Sequence, residues 1–174
     1  MLLPSTMRLR PLNADDVQLL RALLFEAAYW RPNVVRPPLD RALARPQLAR
    51  YVAGFGRQGD FGVLANEGSE PLGAAWWRYF QADAPGYGFV DDATPEISIA
   101  VLLAHRGRGI GTALLEALQR EARSQQIARL SLSVERDNPA AGLYERIGFS
   151  PLGRQGDALT MVIELDRSPS RRNF

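Results

Sequence analysis

A glycine-rich run, Arg106-Gly107-Arg108-Gly109-Ile110-Gly111-Thr112, stands between a stretch that reads as a strand and one that reads as a helix. Upstream, residues 96–103 place Ile97, Ile99 and Val101 on one face, the period of a strand. Downstream, Ile110, Ala113, Leu114, Ala117 and Leu118 recur at helical spacing as far as about Arg123. A strand that turns directly into a helix leaves several amides without intrahelical acceptors, pointing toward one small volume. Glycines let the backbone approach an anion without Cβ obstruction, and the helix start adds the equivalent of roughly +0.5 charge. Arg106 and Arg108 add mobile positive charge. The run therefore points to a phosphate cradle; the plainer alternative is a turn that only lets strand meet helix. Two better-known glycine motifs do not fit. The dinucleotide fingerprint needs glycine where Thr112 stands, and the nucleotide P-loop needs a Gly-Lys-Ser/Thr sequence that is absent.

The remaining segments supply a sheet and helices around this turn. Residues 7–11 read as a first strand, and Asn13 caps a helix whose apolar positions are Val17, Leu20, Leu23, Leu24, Ala27 and Ala28. Tyr29, Trp30 and the proline-broken stretch 31–38 follow as a loop, and residues 40–55 read as a second helix interrupted near Pro46. Residues 61–65 and 73–80 are β-rich runs flanking the polar cluster Asn66, Glu67, Gly68 and Ser69, which predicts an antiparallel hairpin. Leu130, Leu132 and Val134 alternate as a further strand. Asn138 and Pro139 open a short helix that ends near Ile147 at Gly148, and residues 158–165 close the pattern as a strand. This order predicts an α/β (α+β) fold, a mixed sheet with helices packed on it.

With 174 residues, 46% of them hydrophobic and 23% charged, the chain is expected to form one globular domain over 1–174. Its ordered core is expected at about 7–166, with a polar tail over 167–174 that carries Arg171 and Arg172. The 21 basic and 19 acidic residues leave a net charge of +2 and are dispersed, so neither a basic stripe nor a nucleic-acid partner is implied. The absence of cysteine excludes disulfides, thiolate metal sites and a cysteine nucleophile, and the single His105 cannot build a metal cluster. No secretion signal or membrane-length apolar run is present, so the expected location is the cytoplasm, away from membranes. A homodimer stays open, dimers being the commonest assemblies.

Arg106, Gly109 and Gly111 make the run resemble the Arg/Gln-x-x-Gly-x-Gly/Ala motif of the GNAT superfamily of N-acetyltransferases, which cradles the pyrophosphate of coenzyme A. A second block, Val134-x-x-x-Asn138-x-x-Ala141-x-Leu143-Tyr144-x-x-x-Gly148-Phe149, is similar to that family's Asn…Tyr…Gly-Phe signature at its usual spacing. The resemblance covers residues 96–149 and, more weakly, the first strand and helix. It implies a mostly antiparallel twisted sheet with flanking helices, whose central strands splay and admit acetyl-CoA as acyl donor. It implies that the backbone of Gly107, Arg108, Gly109, Ile110, Gly111 and Thr112 holds the pyrophosphate, with Arg106 beside it. Ile99, Ala100 and Val101 would face pantetheine and the thioester, and Asn138 and Tyr144 would complete the cofactor side.

The resemblance also assigns roles. Tyr144 would be the general acid for the departing thiolate, or else a core aromatic. Glu96 stands where many members hold a carboxylate that deprotonates the amine directly or through water; the plainer reading is a strand-end surface carboxylate. Ribosomal-protein N-terminal acetyltransferases of the superfamily carry a glutamate where this chain has Ser133, a departure from that branch. Trp30, Trp76 and Trp77 would line an acceptor pocket, although one of the adjacent pair must face core. By charge rather than by the resemblance, Asp91 and Asp92 near Glu96 would draw in a cationic amine or else simply be solvated, and His105 would reach a coenzyme A phosphate or stay an exposed loop residue. The implied function is transfer of an acetyl group to a primary amine of a small molecule or peptide by direct attack; the alternative is a non-catalytic acyl-CoA sensor or interaction module.

Overall fold

The computed structural model describes residues 6–165, so the tail with Arg171 and Arg172 lies outside the described residues. Seven strands form one sheet in the order β1-β2-β3-β4-β5-β7-β6. They are β1 (Met7–Pro11), β2 (Phe61–Glu67), β3 (Glu70–Arg78), β4 (Glu96–Val101), β5 (Arg129–Glu135), β6 (Ser150–Gln155) and β7 (Ala158–Glu164). Every neighbouring pair is antiparallel except β4 and β5, which are parallel and share the single register pair Glu96↔Ser131. The Ser131 amide donates to the Pro95 carbonyl at 3.1 Å, and beyond that rung the two strands part, giving the expected central splay.

Helices cover both faces of the first four strands. On one side α4 (Ile110–Ser124) buries Ile110, Leu114, Leu115 and Leu118 against Val63, Ala75, Trp77 and Ile97. On the other, α1 (Val17–Ala28) buries Leu20, Leu23 and Leu24 against Leu64, Ala74, Trp76 and Ala100. Each such leucine or isoleucine contributes about 1.5–3 kcal/mol on full burial. Asn13 caps a 3-10 turn, Ala14–Asp16, that leads into α1, and its side chain accepts from the Asp15 amide. At the far end α5 (Ala140–Ile147) starts where Asn138 Oδ1 accepts from the Ala140 amide at 2.9 Å, and stops at Gly148, whose φ of 111° is left-handed.

The expected antiparallel hairpin of β2 and β3 is present, the expected second helix is not, and one strand was missed. The hairpin turn is tighter than its polar cluster suggests, because Glu67 pairs with Glu70 and only Gly68 and Ser69 remain outside the strands. Residues 40–55 are not one interrupted helix but two single turns, α2 (Leu39–Ala42) and α3 (Pro46–Ala49), followed by turns. Beyond α3 the cause lies far along the chain: the Arg78 guanidinium takes the carbonyls of Arg50, Ala53 and Gly54 at 2.9, 2.7 and 3.3 Å, which a continuing helix would use itself. Strand β6 was not expected, since its six residues are all exposed and include Pro151 and Gly153, so no alternation marks them.

Candidate active site

Strand β4 ends in a 3-10 turn, Leu103–His105, and the backbone then passes through Gly107 and Gly109 at φ of 75° and 78° before α4 begins. The first amide of α4 with a backbone acceptor is that of Ala113, bonded to the Gly109 carbonyl at 3.1 Å. Those of Gly107 through Thr112 have no acceptor among the described residues. Six donors without acceptors thus gather around a helix start, the kind of place that binds anions. The flanking arginines fold onto the protein: Arg106 Nε donates to the Val101 carbonyl at 3.0 Å, and Arg108 meets His105 Nδ1 at 3.0 Å. His105 is therefore largely covered rather than an exposed loop residue, with Glu70 at 3.7 Å on its other nitrogen. Gly111 has a second reason to be small, because a Cβ there would come 3.1 Å from Leu143 of α5.

The splay opens beside this turn. The Leu102 amide donates to the Leu72 carbonyl of β3, so strand alternation turns the amides of Ile99 and Val101 toward β5. Likewise, because the Ser131 amide points to β4, that of Ser133 does too. Ala100 points its side chain the other way, into the α1 core. Tyr144 of α5 is 7% exposed, belongs to the apolar cluster on the α4 side of the sheet, and stands edge-on to Phe149 at 6.1 Å. Burial alone pushes its pKa up to about 12, so the phenol keeps its proton at neutral pH.

Glu96 is not a surface carboxylate: it is 3% exposed, and burial pushes its pKa up to about 7 against the opposing pull of its donors. Tyr51 donates to its Oε1 at 2.7 Å and the Gly88 amide donates to the same oxygen at 2.9 Å, while Oε2 has no partner. Tyr51 and the Gly86–Gly88 stretch were not anticipated. Tyr51 falls in the stretch read as a second helix and residues 86–88 in the connection between β3 and β4, and they reach Glu96 only through the tertiary fold.

The proposed acceptor residues separate. Trp30 is half-buried; its Nε1 donates to Glu135 at 3.0 Å and the Arg31 guanidinium stacks 4.6 Å above its ring. It lines a cavity of about 210 Å³ with Tyr29, Val34 and Glu135. Trp76 does not line a pocket: it and Trp77 are both 0% exposed, on opposite faces, because helices cover both sides of β3. Asp91 is engaged internally, its carboxyl held below the usual range by the Thr94 hydroxyl and by Arg129, so it is not a free lure for an amine. Asp92 is exposed. Among the described residues no group of three potential ligands could hold a metal, and no helix is long and apolar enough to cross a membrane.

Solved structures share this fold. The yncA acetyltransferase of Salmonella typhimurium, solved with its cofactor acetyl-CoA, is 24% identical, with a TM-score of 0.67 over 95% of this chain and 98% of that one. The PaiA N-acetyltransferase of Thermoplasma acidophilum, in complex with coenzyme A, is 15% identical, with the same score over 91% and 98%. By sequence, an L-methionine sulfoximine/L-methionine sulfone acetyltransferase of Pseudomonas aeruginosa is 35% identical over 96 residues, covering 53% of this chain and 51% of that protein. The uncharacterized N-acetyltransferase YobR of Bacillus subtilis is 38% identical over 68 residues, covering 38% and 25%. This chain thus spans about half, or less, of the length of the relatives it matches. The description of the acetyltransferase (GNAT) family fits residues 22–149, nearly three quarters of the sequence, and to that family the chain belongs.

Proposed function

We propose that the chain transfers an acetyl group from acetyl-CoA to a primary amine of a small molecule or peptide by direct attack. The observation that carries this reading is the run of six partnerless amides at the head of α4, beside two strands that pair at one rung only. The amides of Gly107, Arg108, Gly109, Ile110, Gly111 and Thr112 hold the pyrophosphate, with Arg106 swinging to it from Val101. The gap-facing edges of β4, at Ile99 and Val101, and of β5, at Ser133, offer main-chain bonds to pantetheine as a sheet edge does to an extended ligand. Asn138 fixes the start of α5 and with it the Tyr144 hydroxyl.

The chemistry then needs two proton movements. An ammonium has no lone pair, so a base must leave the amine neutral as the C–N bond forms; a carboxylate that titrates near neutrality is matched to that task, and Glu96 is one. As the C–S bond breaks, the Tyr144 hydroxyl gives its proton to sulfur. Its raised pKa does not defeat this, because the burial that weakens the phenol as an acid also raises the basicity of a thiolate formed beside it. Proton exchange with solvent returns Tyr144 and Glu96 to their starting states. A cytoplasmic location suits an acetyl-CoA donor, and the Trp30 cavity is the first place to seek the acceptor.

Calorimetry with coenzyme A, followed by thiol release and mass gain across an amine panel, tests the reading. The panel includes L-methionine sulfone, the compound named for the Pseudomonas relative, and peptides with free N-termini. Tyr144→Phe is expected to lower kcat by about 10²-fold or more with coenzyme A affinity unchanged. A folded sample with no affinity for coenzyme A overturns the assignment. Binding without acetyl transfer to any amine replaces it with the acyl-CoA sensor.

A further inference from the structure

Tyr51 is fixed from every side. Its hydroxyl oxygen accepts from the Tyr87 amide at 2.6 Å and donates to Glu96 Oε1 at 2.7 Å. Its ring stands edge-on to Phe80 at 5.0 Å and stacks on Tyr87 at 6.0 Å. Its carbonyl accepts from Trp76 Nε1 at 2.9 Å. The residue before it is held twice: Arg78 takes the Arg50 carbonyl at 2.9 Å, and the Arg50 guanidinium donates to the Pro85 carbonyl. Because the Tyr87 N–H occupies the phenol's acceptor side, the hydroxyl proton is aimed at the carboxylate.

That frame makes the two carboxylate oxygens unequal. Oε1 takes both donors, from Tyr51 and Gly88, whereas Oε2 is buried without a partner. Ser131, the register partner of Glu96 across the only β4–β5 rung, likewise has a buried Oγ without a partner. Gly86 leaves the room Oε2 occupies: a Cβ there would come 2.0 Å from Oε2 and 2.8 Å from the Tyr51 hydroxyl. Gly86 is not among the glycines with positive φ, so the site uses its smallness rather than its backbone freedom.

We infer that Tyr51 is a positioning residue for acetyl transfer, pinning Oε1 of Glu96 so that Oε2 receives the proton leaving the amine. This rests on the reading of Glu96 as proton acceptor. In the step, the amine N–H bond breaks, an O–H bond forms at Oε2, and the acid later returns the proton to solvent. The titratable and charged groups facing the carboxyl are Tyr51 and Arg50 from the segment after α3, Tyr87 from the β3–β4 connection, and Arg78 on β3, which is engaged by Asp60. From β5 the register partner is the uncharged Ser131.

The Tyr51 donor lowers the proton affinity of Glu96, so its removal raises it. Tyr51→Phe keeps the ring packing. In protein carrying ¹³C-labelled glutamate side chains, the Glu96 carboxyl, assigned by its loss in Glu96→Gln, is expected to titrate about one pH unit higher in Tyr51→Phe, a tenfold change in proton affinity. The acid limb of kcat/KM, for the acceptor the amine panel identifies, moves with it while KM for acetyl-CoA stays put. Gly86→Ala, folded, is expected to lose about tenfold or more in kcat by displacing Oε2. An unmoved carboxyl titration in Tyr51→Phe overturns the inference, as does wild-type kcat in Gly86→Ala. Wild-type turnover in Glu96→Gln overturns the proton-acceptor reading instead, whatever Tyr51→Phe does.

Discussion

Burying Glu96 costs the folded state more as pH rises. Its pKa is raised from an ordinary value of 4.5 to about 7 because desolvation outweighs the donors from Tyr51 and Gly88. A carboxyl raised on folding contributes most below its unfolded pKa, where both states are protonated, and that contribution is lost as pH climbs through the folded value. The window here runs from about 4.5 to about 7. Glu96→Gln removes the titration while an amide oxygen can still accept from Tyr51 and Gly88. Relative to this variant, the wild type is therefore expected to lose about 2 kcal/mol between about pH 5 and about pH 8, as read from denaturant melts at the two values. A constant difference between the two proteins across that range would mean that the carboxyl is solvated. Such a penalty at working pH is what the proposed role of Glu96 as proton acceptor would explain and a purely stabilising role would not.

Helix α4 shows the same tension at the level of an element. Its first turn leaves donors unpaired, and Gly109, at φ 78°, is the residue that aims them. An alanine there meets the left-handed penalty of about 1–2 kcal/mol, which the chain relieves by rotating the turn. Gly109→Ala is expected to lower coenzyme A affinity about tenfold or more in calorimetry while costing no more than that strain in stability. Gly153→Ala in β6, where the glycine has ordinary φ and a Cβ meets nothing within 4 Å, is the neutral control. This turn was legible in the sequence because its determinants are local: a period of two, then glycines, then a period of 3.6. What escaped depends on distant partners. The segment 50–54 has helical spacing, but Arg78 claims its carbonyls; Asp91 looks free until Arg129 arrives from β5. Adjacent tryptophans in a strand announce that one faces inward, and only the assembled layers show that both do. For Glu96 the position was readable, whereas its enclosure by Tyr51, Gly86 and Gly88 was not.

At the scale of the whole molecule the sheet is two pieces joined at the Glu96–Ser131 rung. The α4 side is continuous beneath them: Trp77 and Ile97 of one piece share an apolar cluster with Leu130, Leu132 and Met161 of the other. The α1 side is not, for its cluster draws Leu64, Ala74, Trp76 and Ala100 from the first piece and no buried member from β5, β6 or β7. The gap therefore has an apolar floor on the α4 side and no shared apolar cluster on the other, and a ligand lying in it would tie together strands that pair at one rung. Coenzyme A at about 100 times its Kd stabilises the native state by about 2.7 kcal/mol through mass action. For a chain of this size that corresponds to a rise in Tm of about 5–10 °C. Mass action alone would give that rise for any tight site, so the location of the effect is what discriminates. Hydrogen exchange is expected to slow at Ile99, Val101 and Ser133 as well as at residues 107–112, with α1 unchanged. Protection confined to 107–112 would mean that the phosphate is gripped while the strands stay open, and the cleft would then have no part in holding the donor.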